Sequence, residues 1–485
     1  YFCMVLFYST NSCDGEKVNF EQALLRGLAP DYGLYMVGRS EIPKFSQEEL
    51  QEMKGKSYSQ IAYNVLSKFL IDEIPEADLK SLLDDAYDEE IIPTEVQQIS
   101  DTIRIMWLTK GPTYSFKDYA ARFFGRTLNY FLKKRGLRRV VVVATSGDTG
   151  GAVADALHGL DSVDNIVFFP KGAVSEGQRK QMTTLRDNVY AFEVNGDFDV
   201  CQSLAKNLLG DKEFVGEVFE DEQRLTSANS ISVGRLLPQA VYPFYAYSKV
   251  GEEFVASIPS GNFGDMMGTV VAKEMGLPVK KIICGVNENR EFPDFLKTGE
   301  YIVNPSIKSP SSAMIVSHPS NLARLIDFYD GHMYDERDAG TKKVTNPGMI
   351  DKMPNVEAMK EDIYSMSIDN DTHYSTMKKA YDEFGVVLDP HGSVGWKALE
   401  IYHSKTENAN EIGVIYETAD PGKFPVDVEK AIMQVPMVPK RMQEQKGAEE
   451  RIFSIENKSD KTAQGLKLSD SQISEAKQKI KELFA

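Results

Sequence analysis

A chain of 485 residues is long enough for two or three domains, each with its own core. Its 42% hydrophobic and 26% charged content is ordinary for a globular protein, and a net charge of −17 disfavours nucleic acid or an anionic membrane as the main partner, because both repel such a field. No apolar run reaches bilayer length, and the four cysteines (Cys3, Cys13, Cys201, Cys284) follow no CxxC or zinc spacing, so reduced thiols, no bound metal and a cytoplasmic setting are expected.

In chain order, residues 1–8 are apolar but short, with no basic flank and no cleavage site, so a signal peptide is not expected. The chain does not begin with Met, so Met4 or a missing upstream residue is the expected start. Residues 1–100 read as a mainly helical domain, with apolar residues at helical spacing over 20–25 and 57–70. Then comes Gly111-Pro112-Thr113-Tyr114-Ser115-Phe116-Lys117-Asp118, a Gly-Pro turn that opens a helical run. A lysine held at such a junction is poorly hydrated and fixed in direction. Desolvation lowers an ammonium pKa, and a neutral amine attacks an aldehyde, so Lys117 suits a Schiff base; a solvated lysine beside a helix start is the plain alternative.

From Arg138 the pattern changes to short buried-type strands at 140–144, 166–169, 189–194, 254–258, 281–286 and 413–417. Helices are expected over 151–157, 177–185, 200–209 and 265–275. Strands alternating with helices predict an α/β architecture, parallel sheets flanked by helices, with ligands at the carboxyl ends of the strands. A middle domain over 101–250 and a larger one over 251–485 are expected. Within the latter, residues near 341–375 read as a polar, irregular insertion and 469–484 as a C-terminal amphipathic helix.

Two glycine-rich turns follow predicted strands. Ser260-Gly261-Asn262-Phe263-Gly264-Asp265 follows 254–258 and opens a helix, and Thr145-Ser146-Gly147-Asp148-Thr149-Gly150-Gly151 follows 140–144. Glycines let backbone N–H groups approach an anion, and a helix N-terminus adds a favourable dipole; ordinary strand-to-helix turns share the pattern. Neither turn has dinucleotide or P-loop spacing. Asn229 and Arg235 stand six apart, with Arg suited to bidentate phosphate contact or to a surface ion pair. Thr418 ends the strand 413–417, where a hydroxyl can meet a ring nitrogen or simply cap a turn. His391, in Asp389-Pro390-His391-Gly392, reads as a turn residue or a minor acid or base, and His318 as structural.

Together these segments resemble threonine synthase, a family of fold-type II pyridoxal-phosphate enzymes, in its bacterial and fungal branch. The resemblance spans about residues 7–425. It rests on ordered motifs: FYSTN, GPT-x-SFKD, ATSGDTG, NSI-x-x-GR-x-x-PQ at Asn229 to Gln239, SGNFGD, SNLARL, DPHG and ETA-x-P-x-KFP. It implies that Lys117 is the catalytic lysine that anchors pyridoxal 5'-phosphate and then moves protons. It implies that Gly261, Asn262, Phe263, Gly264 and Asp265 hold the cofactor phosphate, that Thr418 meets the pyridine nitrogen, and that Asp148 stands near the phenolic oxygen. Thr145, Ser146, Asn229, Arg235 and Asn262 match positions that bind the substrate's phosphate. The reaction implied is conversion of O-phospho-L-homoserine and water to L-threonine and phosphate by a monomer or homodimer whose partner is this small phosphorylated amino acid.

The chain departs from the family pattern at Asp420, Ile315 and Ser232, where relatives carry His, Asp and Asn, all near the expected substrate side. A phospho-lyase releasing phosphate and ammonia to give a 2-oxo acid would use the same residues. A non-catalytic α/β binding protein is the alternative outside enzymes, and an intact Lys117 argues against it.

Overall fold

The computed structural model describes residues 4–12, 15–339, 344–462 and 465–484, so Cys3, Cys13 and the start of the expected 341–375 insertion lie outside the described residues. The chain forms two compact units, one of Tyr1–Ala120 with Ser230–Met437, the other of Ala121–Asn229 with Val438–Ala485.

In the first unit a six-stranded sheet runs in the order Ile363–Ser367, Val279–Val286, Phe254–Pro259, Gly413–Glu417, Ile103–Trp107, Glu95–Gln98. All neighbours are parallel except the last pair. Phe254–Pro259 and Gly413–Glu417 are buried throughout, as strands covered on both faces must be, which is why they read as continuous apolar runs. The N-terminal helices belong to this unit. Tyr58–Leu70 is opened by a capping box between Ser57 and Gln60 and buries Tyr58, Ile61, Ala62, Val65, Leu66 and Phe69, the spacing of one helical face. It packs on the helix Val241–Val250 through Tyr58 and Tyr245, whose ring centroids lie 5.2 Å apart.

In the second unit a five-stranded parallel sheet runs in the order Ile452–Ile455, Val189–Val194, Val163–Pro170, Arg139–Ala144, Leu225–Ser227. The C-terminal helix Asp470–Phe484 forms as expected and buries Ala476 and Ile480 in the core of Val142, Phe168, Phe192 and Leu204.

Two expectations differ from what forms. The chain does not divide at 100 and 250: strand Ile103–Trp107 pairs with Gly413–Glu417, and Ile452–Ile455 pairs with Val189–Val194, so the unit boundaries follow non-local strand pairing. Nor is the described part of the 341–375 stretch irregular. Val344–Lys352 forms a hairpin with His332–Arg337, and Ile363–Ser367 is the edge strand of the six-stranded sheet. An edge strand is half-buried and tolerates polar residues, so Ile-Tyr-Ser-Met-Ser carries no core signal. No described helix is long and apolar enough to cross a membrane.

Candidate active site

Lys117 opens the helix Lys117–Arg135 and is half-buried, its Nζ 4.8 Å from the centroid of the Phe116 ring. The turn before it is built by Asp118, whose buried carboxylate accepts from the Thr113 N–H at 2.9 Å and the Thr113 hydroxyl at 2.5 Å. Tyr114 takes φ 60° there, a left-handed conformation that costs a non-glycine residue on the order of 1 kcal/mol. Main-chain bonds clip the turn to the end of strand Gly413–Glu417. The Phe116 N–H donates to the Thr418 carbonyl at 2.9 Å, and the Asp420 N–H donates to the Tyr114 carbonyl at 3.0 Å. Lys423 Nζ adds a bond to the Thr113 carbonyl at 2.8 Å, and the Tyr242 hydroxyl one to the Phe116 carbonyl at 3.1 Å. Residues three hundred positions apart in sequence thereby place Lys117 beside the buried Thr418.

The turn Ser260–Asp265 connects strand Phe254–Pro259 to helix Gly264–Glu274. A Cβ on Gly261 would stand 2.8 Å from the Ala313 carbonyl oxygen, so only glycine fits there without moving the main chain, and one on Gly264 would stand 2.7 Å from the Gln239 amide and displace that side chain. Phe263 caps the helix at φ 61°, and the burial of its ring against Phe292 at 5.0 Å offsets the strain. Among the described residues the N–H groups of Gly261, Asn262, Phe263 and Gly264 meet no protein acceptor, which leaves four donors at a helix N-terminus for an anion. Asn262 is held from behind: its Oδ1 accepts from the Ser320 N–H at 3.3 Å and its carbonyl from Asn321 Nδ2 at 3.0 Å.

Burial dominates the electrostatics of this unit. Arg235 is buried, and desolvation lowers its guanidinium to about 10, still protonated at neutral pH. Burial first, and the charge of Asp389 second, push Glu417, the residue before Thr418, well above the usual carboxyl range. Asp265 rises to about 6 through burial, against the opposing pull of its backbone hydrogen bonds and of Lys117. Asp265 therefore holds its proton more tightly folded than unfolded, and its contribution to stability falls as pH rises from 3.8 to about 6. Asparagine keeps the Oδ1 that accepts from the Met266 N–H at 2.9 Å without the charge. In cofactor-free protein, Asp265→Asn is predicted to raise the unfolding free energy by on the order of 3 kcal/mol near pH 8 and about half that near pH 5. Urea titrations at the two pH values check this, and a gain independent of pH would refute it.

The second unit carries the other glycine-rich turn, between strand Arg139–Ala144 and helix Asp148–Leu157. The buried Thr145 Oγ1 accepts from the N–H groups of Gly147 and Gly150, both at 2.9 Å, so this hydroxyl shapes the turn, whereas Ser146 is exposed. Asp148 is the first residue of its helix, and its carboxylate accepts from Gln178 Nε2 at 3.0 Å. The six-residue spacing of Asn229 and Arg235 spans a boundary: Asn229 is exposed at the end of the second unit, and Arg235 is buried in the first.

Sequence reasoning missed several supporting residues. Arg324 is fully buried and donates from Nε to the Tyr35 carbonyl at 3.0 Å, from Nη1 to Asn321 Oδ1 at 2.6 Å and from Nη2 to the Ile231 carbonyl at 2.5 Å. An arginine on the apolar face of Leu322–Phe328 was its signal. Tyr242, Gln178 and Gln239 left no comparable signal, because their roles depend on contacts remote in sequence.

A half-buried amine, a buried hydroxyl at a strand end and a glycine cradle with unmet N–H donors fit the aldehyde, ring nitrogen and phosphate of pyridoxal phosphate. Comparison with known proteins agrees. Three family models match: "Threonine synthase N terminus" over residues 6–87, "Pyridoxal-phosphate dependent enzyme" over residues 107–416 and "Threonine synthase, C-terminal" over residues 392–466. The chain is 34% identical over 467 residues to threonine synthase of Pseudomonas aeruginosa, covering 93% of this chain and 96% of that one. The crystal structure of PLP-bound threonine synthase from Brucella melitensis superposes with a TM-score of 0.87 at 30% identity over 99% of both chains. That of threonine synthase from yeast does so with a TM-score of 0.84 at 30% identity, over 93% of this chain and 96% of that one. With its lysine turn clipped to the Thr418 strand end beside a glycine cradle, and matched over nearly its whole length, the chain belongs to the threonine synthase family of fold-type II pyridoxal-phosphate enzymes.

Proposed function

We infer that the chain converts O-phospho-L-homoserine and water to L-threonine and inorganic phosphate with pyridoxal 5'-phosphate, and that Lys117 is its catalytic lysine. The observation that supports the assignment of roles is the main-chain clip from Phe116 to Thr418, which joins the backbone next to Lys117 to the end of the Thr418 strand. Lys117 anchors the cofactor aldehyde, the N–H groups of Gly261, Asn262, Phe263 and Gly264 hold its phosphate, and Asp265 follows them at the helix start. Thr418 would supply a hydroxyl partner for the ring nitrogen, and Asp148 a polar partner for the phenolic oxygen. When bound, the cofactor ring takes up the electrons left on the substrate carbons as their protons depart.

The Lys117 amine takes the proton from the substrate Cα and returns it at the end. Arg235, Thr145, Ser146 and Asn229, with Asn262, hold the substrate phosphate and stabilise its charge as the Cγ–O bond breaks. The reduced, buried thiols of Cys201 and Cys284 support a cytoplasmic enzyme.

The test is to incubate purified protein with pyridoxal phosphate and O-phospho-L-homoserine and to measure phosphate and threonine together. Equal amounts are expected. Phosphate released with 2-oxobutyrate in place of threonine would overturn the assignment.

A further inference from the structure

One short segment, Ser311 to Met314, is held between two buried histidines and the first glycine of the phosphate turn. The Ala313 N–H meets Nε2 of His391 at 3.0 Å. An N–H only donates, so Nε2 must accept, and the ring proton sits on Nδ1, which faces the Asp389 carboxylate. Asp389 is itself fixed: its carboxylate accepts from the Gly392 N–H at 2.7 Å, its own N–H donates to Glu417 Oε1 at 2.9 Å, and both acidic residues are fully buried. The second histidine repeats the arrangement. His373 Nδ1 faces the Asp369 carbonyl at 2.8 Å and its Nε2 meets the Ser311 hydroxyl at 2.9 Å. Met314 packs with Ile368 and Val394. On its other side the segment bears on the turn, for the Ala313 carbonyl oxygen occupies the space that a Cβ on Gly261 would take.

We infer that His391 is a positioning residue for the cofactor-phosphate turn: its Nε2 fixes Ala313, and Ala313 fixes the backbone of Gly261. The proposal rests on the reading that the turn holds the cofactor phosphate. It gives a physical role to the DPHG motif, in which Asp389 selects the histidine tautomer that can accept from Ala313. His391 touches neither substrate nor cofactor under this assignment and acts through one hydrogen bond and one packing contact.

The discriminating experiment compares two amides at position 391. His391→Gln can place an amide oxygen near the site of Nε2 and keep an acceptor for Ala313. His391→Asn can reach only Asp389. Pyridoxal phosphate affinity, read from absorbance titration of the cofactor-free proteins, is expected to weaken about tenfold in His391→Asn and to stay within about threefold of wild type in His391→Gln. The phosphorus NMR resonance of the bound cofactor is expected to shift in His391→Asn alone. Should His391→Asn fail to fold, Ala313→Pro removes the same donor N–H without touching the histidine and is expected to weaken affinity equally. Equal losses in both amide variants, no loss in either, or wild-type affinity in Ala313→Pro overturns the positioning role and leaves the functional reading standing. Wild-type protein that takes up no pyridoxal phosphate overturns both.

Discussion

Lys117→Ala is expected to lower threonine formation by on the order of 10³-fold or more while leaving the fold standing. The main-chain clip and the Asp118 cap that shape its turn are made by groups other than its amine. The Phe116 N–H, the Tyr114 carbonyl and the Asp118 carboxylate make the clip and the cap, and all persist in the variant. The two tryptophans, Trp107 and Trp396, both lie in the first unit, so urea unfolding followed by their fluorescence reports on this part of the molecule. The midpoint is expected to be unchanged within about 0.5 kcal/mol of stability, as for a half-buried side chain at a helix start. The visible absorbance that wild-type protein gains with pyridoxal phosphate is expected to vanish. Turnover within tenfold of wild type would remove Lys117 from the mechanism, and lost activity with a collapsed urea midpoint would show a structural role instead.

Arg324→Met is the substitution expected to cost the most stability, on the order of 3 kcal/mol. The guanidinium is buried with no carboxylate among its three acceptors, and desolvation lowers it to about 9, so it remains charged at neutral pH. Methionine removes a desolvated charge, which is favourable, but it takes this donor from the buried Tyr35 carbonyl and Asn321 Oδ1 and from the part-buried Ile231 carbonyl. The second effect dominates, because each such acceptor costs about 1–3 kcal/mol when unmet. Asn321 also holds the Asn262 carbonyl, so affinity for pyridoxal phosphate is expected to weaken along with stability. Arg324→Lys rescues little, since an ammonium cannot span three acceptors in a planar fork. Tryptophan-monitored urea unfolding decides the matter: a loss under about 1 kcal/mol would mean that water replaces the guanidinium and that these carbonyls are not sealed.

The parts of the site that were legible in sequence are those made by local chemistry. The two glycine turns stand where strands end and helices begin, because a backbone that offers successive N–H groups needs residues without a Cβ at close approaches such as Gly261. Lys117 begins its helix as expected, and Thr418 follows the last strand of its sheet. Other roles were not legible. That the Thr145 hydroxyl also accepts from two N–H groups of its own turn depends on how that turn closes, which no local pattern predicts. His391 read as a turn residue because nothing near it in sequence predicts a bond to Ala313. Ile363–Ser367 read as irregular because an edge strand lacks the apolar run of a central one.

By itself, then, the sequence determined the alternation of strands and helices, the caps such as Ser57 with Gln60, and the residue types able to hold an aldehyde and a phosphate. The tertiary structure alone decided which strand ends meet. Parallel strands pair across long crossovers, so the order of the six-stranded sheet and the junction of Lys117 with Thr418 are set by the burial of whole faces and not by any local signal. The same burial decided the charges. Glu417, Asp265 and Arg324 are ordinary in sequence and acquire shifted protonation only when packing removes their water.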